Sequence, residues 1–404
     1  MNILEAQKQL LISIKAGNAV LLSGHSGLGK SSIALGTFEK LKADGAQRGE
    51  RWGLGTIFAA TQTPPDLIGY QFKGERKFEI EKVVGVGEGG IPVKAMQEMN
   101  VTITDPSVPL WMLSVPHGRP GDVGYDPGGL PASLYDKFFL IIDEYGQGEA
   151  DVKRAIAEIF LNGGTAPWYL PPGSVRVGCT NKGIRYGVTK DFDFCISRRT
   201  LIEVQGNIDV TLQYMDKPYI RQGRVWQTMP VTKAWAATHP ETVFMDPPPE
   251  QGPWCMPRTL CDADRYMQAA AEVNGGNIPV DDASFQETMG GIIGVPAAQS
   301  LIGHLQFRTQ LPAYADVVAD PSNAGLPTKA DLMMLMAYEM AHMAKPEHLN
   351  EVLTYVQRMP KDMQVTFITA LLRRDYKGLI NQPAMQGWIN KNAALVSIIA
   401  SLSQ

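Results

Sequence analysis

Ala19-Val20-Leu21-Leu22-Ser23 is a short apolar run, and Gly24-His25-Ser26-Gly27-Leu28-Gly29-Lys30-Ser31-Ser32 follows it directly. The second stretch satisfies GxxxxGK[ST], and the residues from Lys30 to about Ala43 read as a helix. A glycine-rich turn between strand and helix lets consecutive backbone N–H groups face a chain of phosphates, with the positive end of the helix dipole behind them. Lys30 would then reach the β and γ phosphates, and the Ser31 hydroxyl would ligate Mg²⁺. The candidate nucleotide contacts are therefore Gly24, His25, Ser26, Gly27, Leu28, Gly29, Lys30, Ser31 and Ser32. A chain with 40 glycines can match this pattern by chance, but the strand and helix on either side argue against chance.

Outward from this loop the same alternation continues. Leu4, Leu10, Leu11 and Ile14 stand at helical spacing before Gly17-Asn18. The runs 55–60, 138–142, 175–180 and 200–204 read as strands, and residues from about Ala150 to Leu161 as a helix. Strands alternating with helices predict an α/β core: a parallel sheet with helices on both faces. Asp143-Glu144 closes the run Phe139-Leu140-Ile141-Ile142, which predicts two carboxylates at the C-terminal edge of the sheet, where ligands of open α/β sheets bind. There Asp143 would hold Mg²⁺ through water, and Glu144 would orient and deprotonate an attacking water. A water-activating Glu points to hydrolysis rather than to a small-molecule kinase. Asn181 follows the strand that ends at Thr180 and can fix that water near the γ-phosphate. Charge developing on the γ-phosphate also calls for a fixed guanidinium. Arg198 and Arg199 stand before an apolar run and Arg258 at a predicted helix start; position alone does not choose between Arg198 and Arg199.

Residues 61–130 are rich in Gly and Pro, and runs such as Lys77-Phe78-Glu79-Ile80-Glu81-Lys82-Val83 predict hairpins inserted at about 70–130. Gly85-Val86-Gly87-Glu88-Gly89-Gly90 reads either as a pore-facing loop or as a slack linker, and its composition favours the linker. The character changes near residue 207. From about Met256 the pattern is helical, and the Met-rich run Leu332-Met333-Met334-Leu335-Met336 reads as core filler.

The net charge is -4, so no global basic field draws the chain to nucleic acid or an anionic membrane, although a local basic groove is compatible with it. Cys179, Cys195, Cys255 and Cys261 show no CxxC spacing, which argues against a zinc cluster or a disulfide framework and fits a cytoplasmic protein. The N-terminal apolar stretch is broken by Lys8 and Lys15, unlike a secretory signal, and there is no run of about 18 apolar residues to span a membrane.

These motifs, in this order, resemble the AAA+ ATPases, in particular their MoxR-like branch. The resemblance covers about residues 1–300: the phosphate loop, Thr63-Pro64-Pro65-Asp66-Leu67-Ile68-Gly69, Asp143-Glu144, Leu170-Pro171-Pro172-Gly173, Thr180-Asn181, Ser197-Arg198-Arg199 and Met256-Pro257-Arg258. It implies a nucleotide-binding α/β core at 1–206, a linker and helical lid at 207–310, and a C-terminal helical region at 311–404. It further implies ATP and Mg²⁺ as cofactors, Asn181 as sensor 1, Arg198 as the arginine finger given to a neighbouring subunit, and Arg258 as sensor 2 on the lid. A homo-oligomeric ring, usually a hexamer, that remodels a protein client is implied too, with a von Willebrand factor A-type protein as a frequent partner. Tyr145-Gly146 departs from the branch, which follows its acidic pair with Asn-Arg. A second reading is a nucleic-acid motor or loader of a phage or mobile element; the charge balance disfavours it.

Overall fold

Apolar runs separated by glycine-rich turns become parallel strands when helices return the chain to the same sheet edge. A computed structural model of the protein describes residues 1–86, 92–120, 125–183 and 187–392. The chain forms two compact units, one built from residues 3–25 and 29–204, the other from 205–404 with residues 26–28.

Along the first unit run α1 (Ile3–Lys15), β1 (Val20–Gly24), α2 (Lys30–Ala46), β2 (Trp52–Phe58), α3 (Pro64–Ile68), β3 (Gln71–Val86), β4 (Pro92–Pro106) and β5 (Lys137–Asp143). They are followed by α4 (Ala150–Asn162), the small hairpin β6 (Gly164–Thr165) and β7 (Trp168–Tyr169), β8 (Val175–Asn181), α5 (Asp193–Ile196) and β9 (Thr200–Glu203). Five strands make one sheet in the order β2-β5-β8-β1-β9, with every neighbouring pair parallel. Alternate residues of β5 serve opposite faces, as the strand period requires. Phe138, Leu140 and Ile142 join a buried cluster with Val152, Ile156, Ile159 and Phe160 of α4. Phe139 instead meets the Phe38 ring of α2 at 5.7 Å. The sheet is thus covered by α4 on one face and α2 on the other, as the sequence predicts.

Two differences from the sequence reading have physical causes. β2 begins at Trp52, three residues before the predicted start, because Gly53 and Gly55 dilute its apolar pattern. A Cβ at either glycine would lie within 2.7 Å of the Phe138 ring, so the packing of β5 requires them. The insert is also one long antiparallel ribbon of β3 and β4 rather than several hairpins. Gly69 (φ 88°) opens it, since a side chain there would meet the Ser107 carbonyl oxygen at 2.1 Å. Residues 87–90 of the glycine-rich segment 85–90 lie outside the described residues, as do 393–404 of the predicted C-terminal region.

The second unit is mainly helical from Ile208–Met215 onward, well before the predicted Met256, with one small antiparallel hairpin of Tyr219–Arg221 and Arg224–Trp226. Asn207 caps that first helix by accepting from the Val210 N–H at 3.0 Å. The unit's core draws on residues from Leu212 to Trp388, including Trp235, Leu301, Met336, Met340, Tyr355 and Phe367. The methionine run supplies this core with filler, as expected. Buried Asp216 is held by Lys233 at 3.0 Å and Arg373 at 3.1 Å.

Candidate functional site

The C-terminal ends of β1, β5 and β8 bring three sequence motifs to one edge. Register sets Gly24 beside Asn181, and Asp143 is the last residue of β5. Gly24 has no room for a side chain, because a Cβ would stand 2.4 Å from the Val204 carbonyl oxygen. Gly27 (φ 75°) and Gly29 (φ 80°) hold left-handed backbone that other residues adopt at a cost. The loop then enters α2, whose first turn carries no acidic residue and no side-chain cap. That helix end presents its N–H groups and partial positive charge to an anion.

The Lys30 ammonium, buried beneath the loop, donates to the Gly24 carbonyl at 3.0 Å, the His25 carbonyl at 2.7 Å and Asn181 Oδ1 at 3.0 Å. Ser31 Oγ donates to Asp143 Oδ2 at 2.8 Å. Lys30 and Ser31 are thus brought into contact with Asn181 and Asp143, residues more than a hundred positions away in sequence. Within the loop Leu28 is buried, Gly29 partly buried and Ser32 exposed. Serine hydroxyl and aspartate carboxylate are hard oxygen donors, the set that Mg²⁺ takes. Cys179 lies within the same strand end; burial, reinforced by the Asp143 charge, pushes its thiol up to about 12, so it stays protonated and unreactive.

Glu144 is exposed and left-handed (φ 53°), and among the described residues its carboxylate has no hydrogen-bond or ion-pair partner. A non-glycine residue in this conformation costs about 1–2 kcal/mol and persists only where neighbours fix it. Here they do. The Glu144 N–H donates to Asp143 Oδ1 at 2.9 Å, and the Glu144 carbonyl accepts from the Gln147 N–H at 2.9 Å. The Gly146 N–H donates to Thr180 Oγ1 at 3.1 Å, and the Gly146 carbonyl accepts from the Thr189 N–H at 2.9 Å. A Cβ on Gly146 would lie 2.3 Å from Thr180 Oγ1, which accounts for glycine at this departure from the MoxR-like pattern.

Sequence reasoning missed the cluster beneath this turn. Lys153, fully buried, donates to the Thr189 carbonyl and Oγ1, both at 2.8 Å, and pairs with Asp191 at 3.0 Å. Arg199 pairs with Asp191, donates to the Tyr145 hydroxyl at 3.0 Å and the Cys195 carbonyl at 2.7 Å, and lies over the Tyr145 ring at 4.6 Å. Burial drives the Tyr145 phenol well above its ordinary value, so it remains a neutral hydrogen-bonding group. A lone Lys on an apolar helix face and an Asp in a loop gave no signal beyond ordinary solvated charges.

The two neighbouring arginines differ sharply. The Arg199 side chain is 5% exposed and bound inside its own unit. The Arg198 side chain is 23% exposed, pairs with Glu158 at 2.5 Å and lies over the Phe194 ring at 5.3 Å. Arg258 belongs to the second unit, where it is exposed as the second residue of the helix Pro257–Val273.

No family model matches the chain, and no curated protein matches it. Among solved structures it is similar to NtrX from Brucella abortus in complex with ADP, at 15% identity and TM-score 0.33, over 99% of this chain and 68% of that one. The ATP complex of the same protein gives 14% identity and TM-score 0.33, over 90% and 67%. The ORC2 protein of Aeropyrum pernix, in ADPNP–ADP complexes, gives 10% identity and TM-score 0.30, over 92% and 93%. The chain's own strand order, with the phosphate loop joining β1 to α2 and the acidic pair ending β5, makes a parallel α/β core followed by a helical region, the fold that the sequence resemblance implies.

Proposed function

We propose that the protein hydrolyses Mg-ATP as a ring-forming AAA+ ATPase of the MoxR-like branch and spends the cycle remodelling or activating a protein client. The observation that carries this reading is the meeting of Lys30 with Asn181 and of Ser31 with Asp143, which joins phosphate-binding, metal-binding and water-orienting groups at one sheet edge. In this reading the loop from Gly24 to Ser32 cradles the phosphates through its backbone, and Lys30 holds the β and γ oxygens. Ser31 and Asp143 would hold Mg²⁺, which when bound neutralises phosphate charge. Asn181 orients the attacking water, and the unpaired Glu144 carboxylate takes its proton. The kcal/mol scale separates the arginines as trans donors. Releasing the part-exposed Arg198–Glu158 pair costs about 0–1 kcal/mol. Withdrawing Arg199 from its buried cluster costs about 3–5 kcal/mol. Arg198 is therefore the residue we assign to the neighbouring subunit's γ-phosphate, and Arg199 stays home. Sensor 2 for Arg258, a hexameric ring and a von Willebrand factor A-type partner rest on the family resemblance.

Glu144→Gln tests the central step. It should keep nucleotide affinity near wild type while slowing turnover roughly a hundredfold or more, as loss of a general base does. Wild-type hydrolysis by this variant would overturn the mechanism.

A further inference from the structure

The β3–β4 ribbon is amphipathic by register. Cross-strand partners share a face, so Phe72, Gly74, Arg76, Phe78, Ile80 and Lys82 lie on one side with Ala95, Gln97, Met99, Val101, Ile103 and Asp105. The other side carries Gln71, Lys73, Glu75, Lys77, Glu79 and Glu81 with Lys94, Glu98, Asn100, Thr102 and Thr104, broken by Val83, Met96 and Pro106. Ion pairs Lys77–Glu98 at 3.1 Å and Lys94–Glu81 at 3.0 Å lace this polar side. Among the residues of the ribbon whose exposure is described, none is buried. Phe72 is 60% exposed, Phe78 44% and Met99 45%, so the apolar face stands in solvent. A two-stranded ribbon is marginal in water by itself, and an apolar face of this length marks an interaction surface.

We propose that this face docks against the same face of a second copy of the chain, the two ribbons related by a two-fold axis near Phe78 and Met99. Two features select that occupant. A ribbon of 16 residues is about 54 Å long and about 10 Å wide, so face-to-face packing buries roughly 1,000 Å² in total, the lower bound for a specific interface. Another copy of the ribbon matches that length and one-sidedness. Counting residues 71–86 and 92–106, five basic residues (73, 76, 77, 82, 94) balance five acidic ones (75, 79, 81, 98, 105), leaving no field for nucleic acid. This interface is isologous, so it cannot propagate round a cyclic ring; with the ring proposed above it would join two rings back to back.

The test uses the full-length protein and does not depend on ATP chemistry. Phe78→Glu should halve the particle mass measured by light scattering, with and without nucleotide, while the circular dichroism spectrum stays that of wild type because the ribbon covers no core. On mild oxidation Phe78→Cys should cross-link to a covalent dimer at least about fivefold more than Lys77→Cys on the opposite face, given the close Cβ approach a disulfide demands. Wild type supplies the background from Cys179, Cys195, Cys255 and Cys261. Unchanged mass in Phe78→Glu, a wild-type protein that is already single-chain without nucleotide, or equal cross-linking at 77 and 78 overturns the proposal. So does unchanged mass together with lost binding of an oligonucleotide or of an unfolded model protein, which would reassign the face to that partner. A ring that fails to assemble with ATP while Phe78→Glu still halves the mass would sink the ring reading and leave this one standing.

Discussion

Asp191→Asn is the substitution that asks most of the buried cluster. The change keeps the side chain's size and removes its charge, leaving the fully buried Lys153 and the nearly buried Arg199 facing each other without their shared anion. Removing one partner of a buried pair costs about 3–5 kcal/mol. The Asp191 side chain is 19% exposed and Lys153 keeps both its bonds to Thr189, which favours the lower end, about 3 kcal/mol. Lys153→Met removes one of the two cations while Asp191 retains Arg199, so about 1–2 kcal/mol is expected. The double variant should then be more stable than Asp191→Asn alone, because one of the stranded cations has gone. Scanning calorimetry on the full chain reads this directly: for a unit of about 200 residues, 3 kcal/mol lowers the melting temperature by roughly 6–12 °C. An Asp191→Asn protein melting within about 2 °C of wild type, or a double variant melting no higher than the single one, would refute the account of the cluster.

Three further outcomes follow from the site. Lys30→Ala should abolish ATP binding in a titration, since the loop's backbone survives but its one ammonium is lost; unchanged affinity would remove the phosphate-loop assignment. Arg198→Ala and Lys30→Ala should each be nearly inactive alone, the first because loss of an arginine finger can cost 10³ or more in rate. Mixed together with subunit exchange verified by fluorescence they should regain activity, while mixtures with Arg199→Ala should not. Tyr145→Phe deletes one acceptor of Arg199 and should lower turnover with nucleotide affinity unchanged, at a stability cost of about 1–2 kcal/mol; equal losses in binding and turnover would make Tyr145 merely structural.

The sequence by itself determined the strand-turn-helix around Lys30, the buried strand closing on Asp143-Glu144, and the alternation that makes a parallel sheet. Those signals are local: periodicity, glycine spacing and apolar run length survive in a one-dimensional reading because each element carries its own pattern. Only the tertiary structure decided how these elements serve one another. Gly53 is read as a strand residue once the Phe138 ring is seen against it. The near-equivalence of Arg198 and Arg199 in sequence dissolves because the turn between α5 and β9 delivers the two side chains to different environments, one part-exposed beside Glu158, the other sealed against Tyr145 and Asp191. Lys153, Thr189 and Asp191 could not be named in advance, since burial of a charge depends on partners that no spacing rule connects. The ribbon's two faces were hidden for the same reason: its alternation was legible in Lys77 to Val83, but which residues of the returning strand share each face is a matter of register, and register exists only between strands.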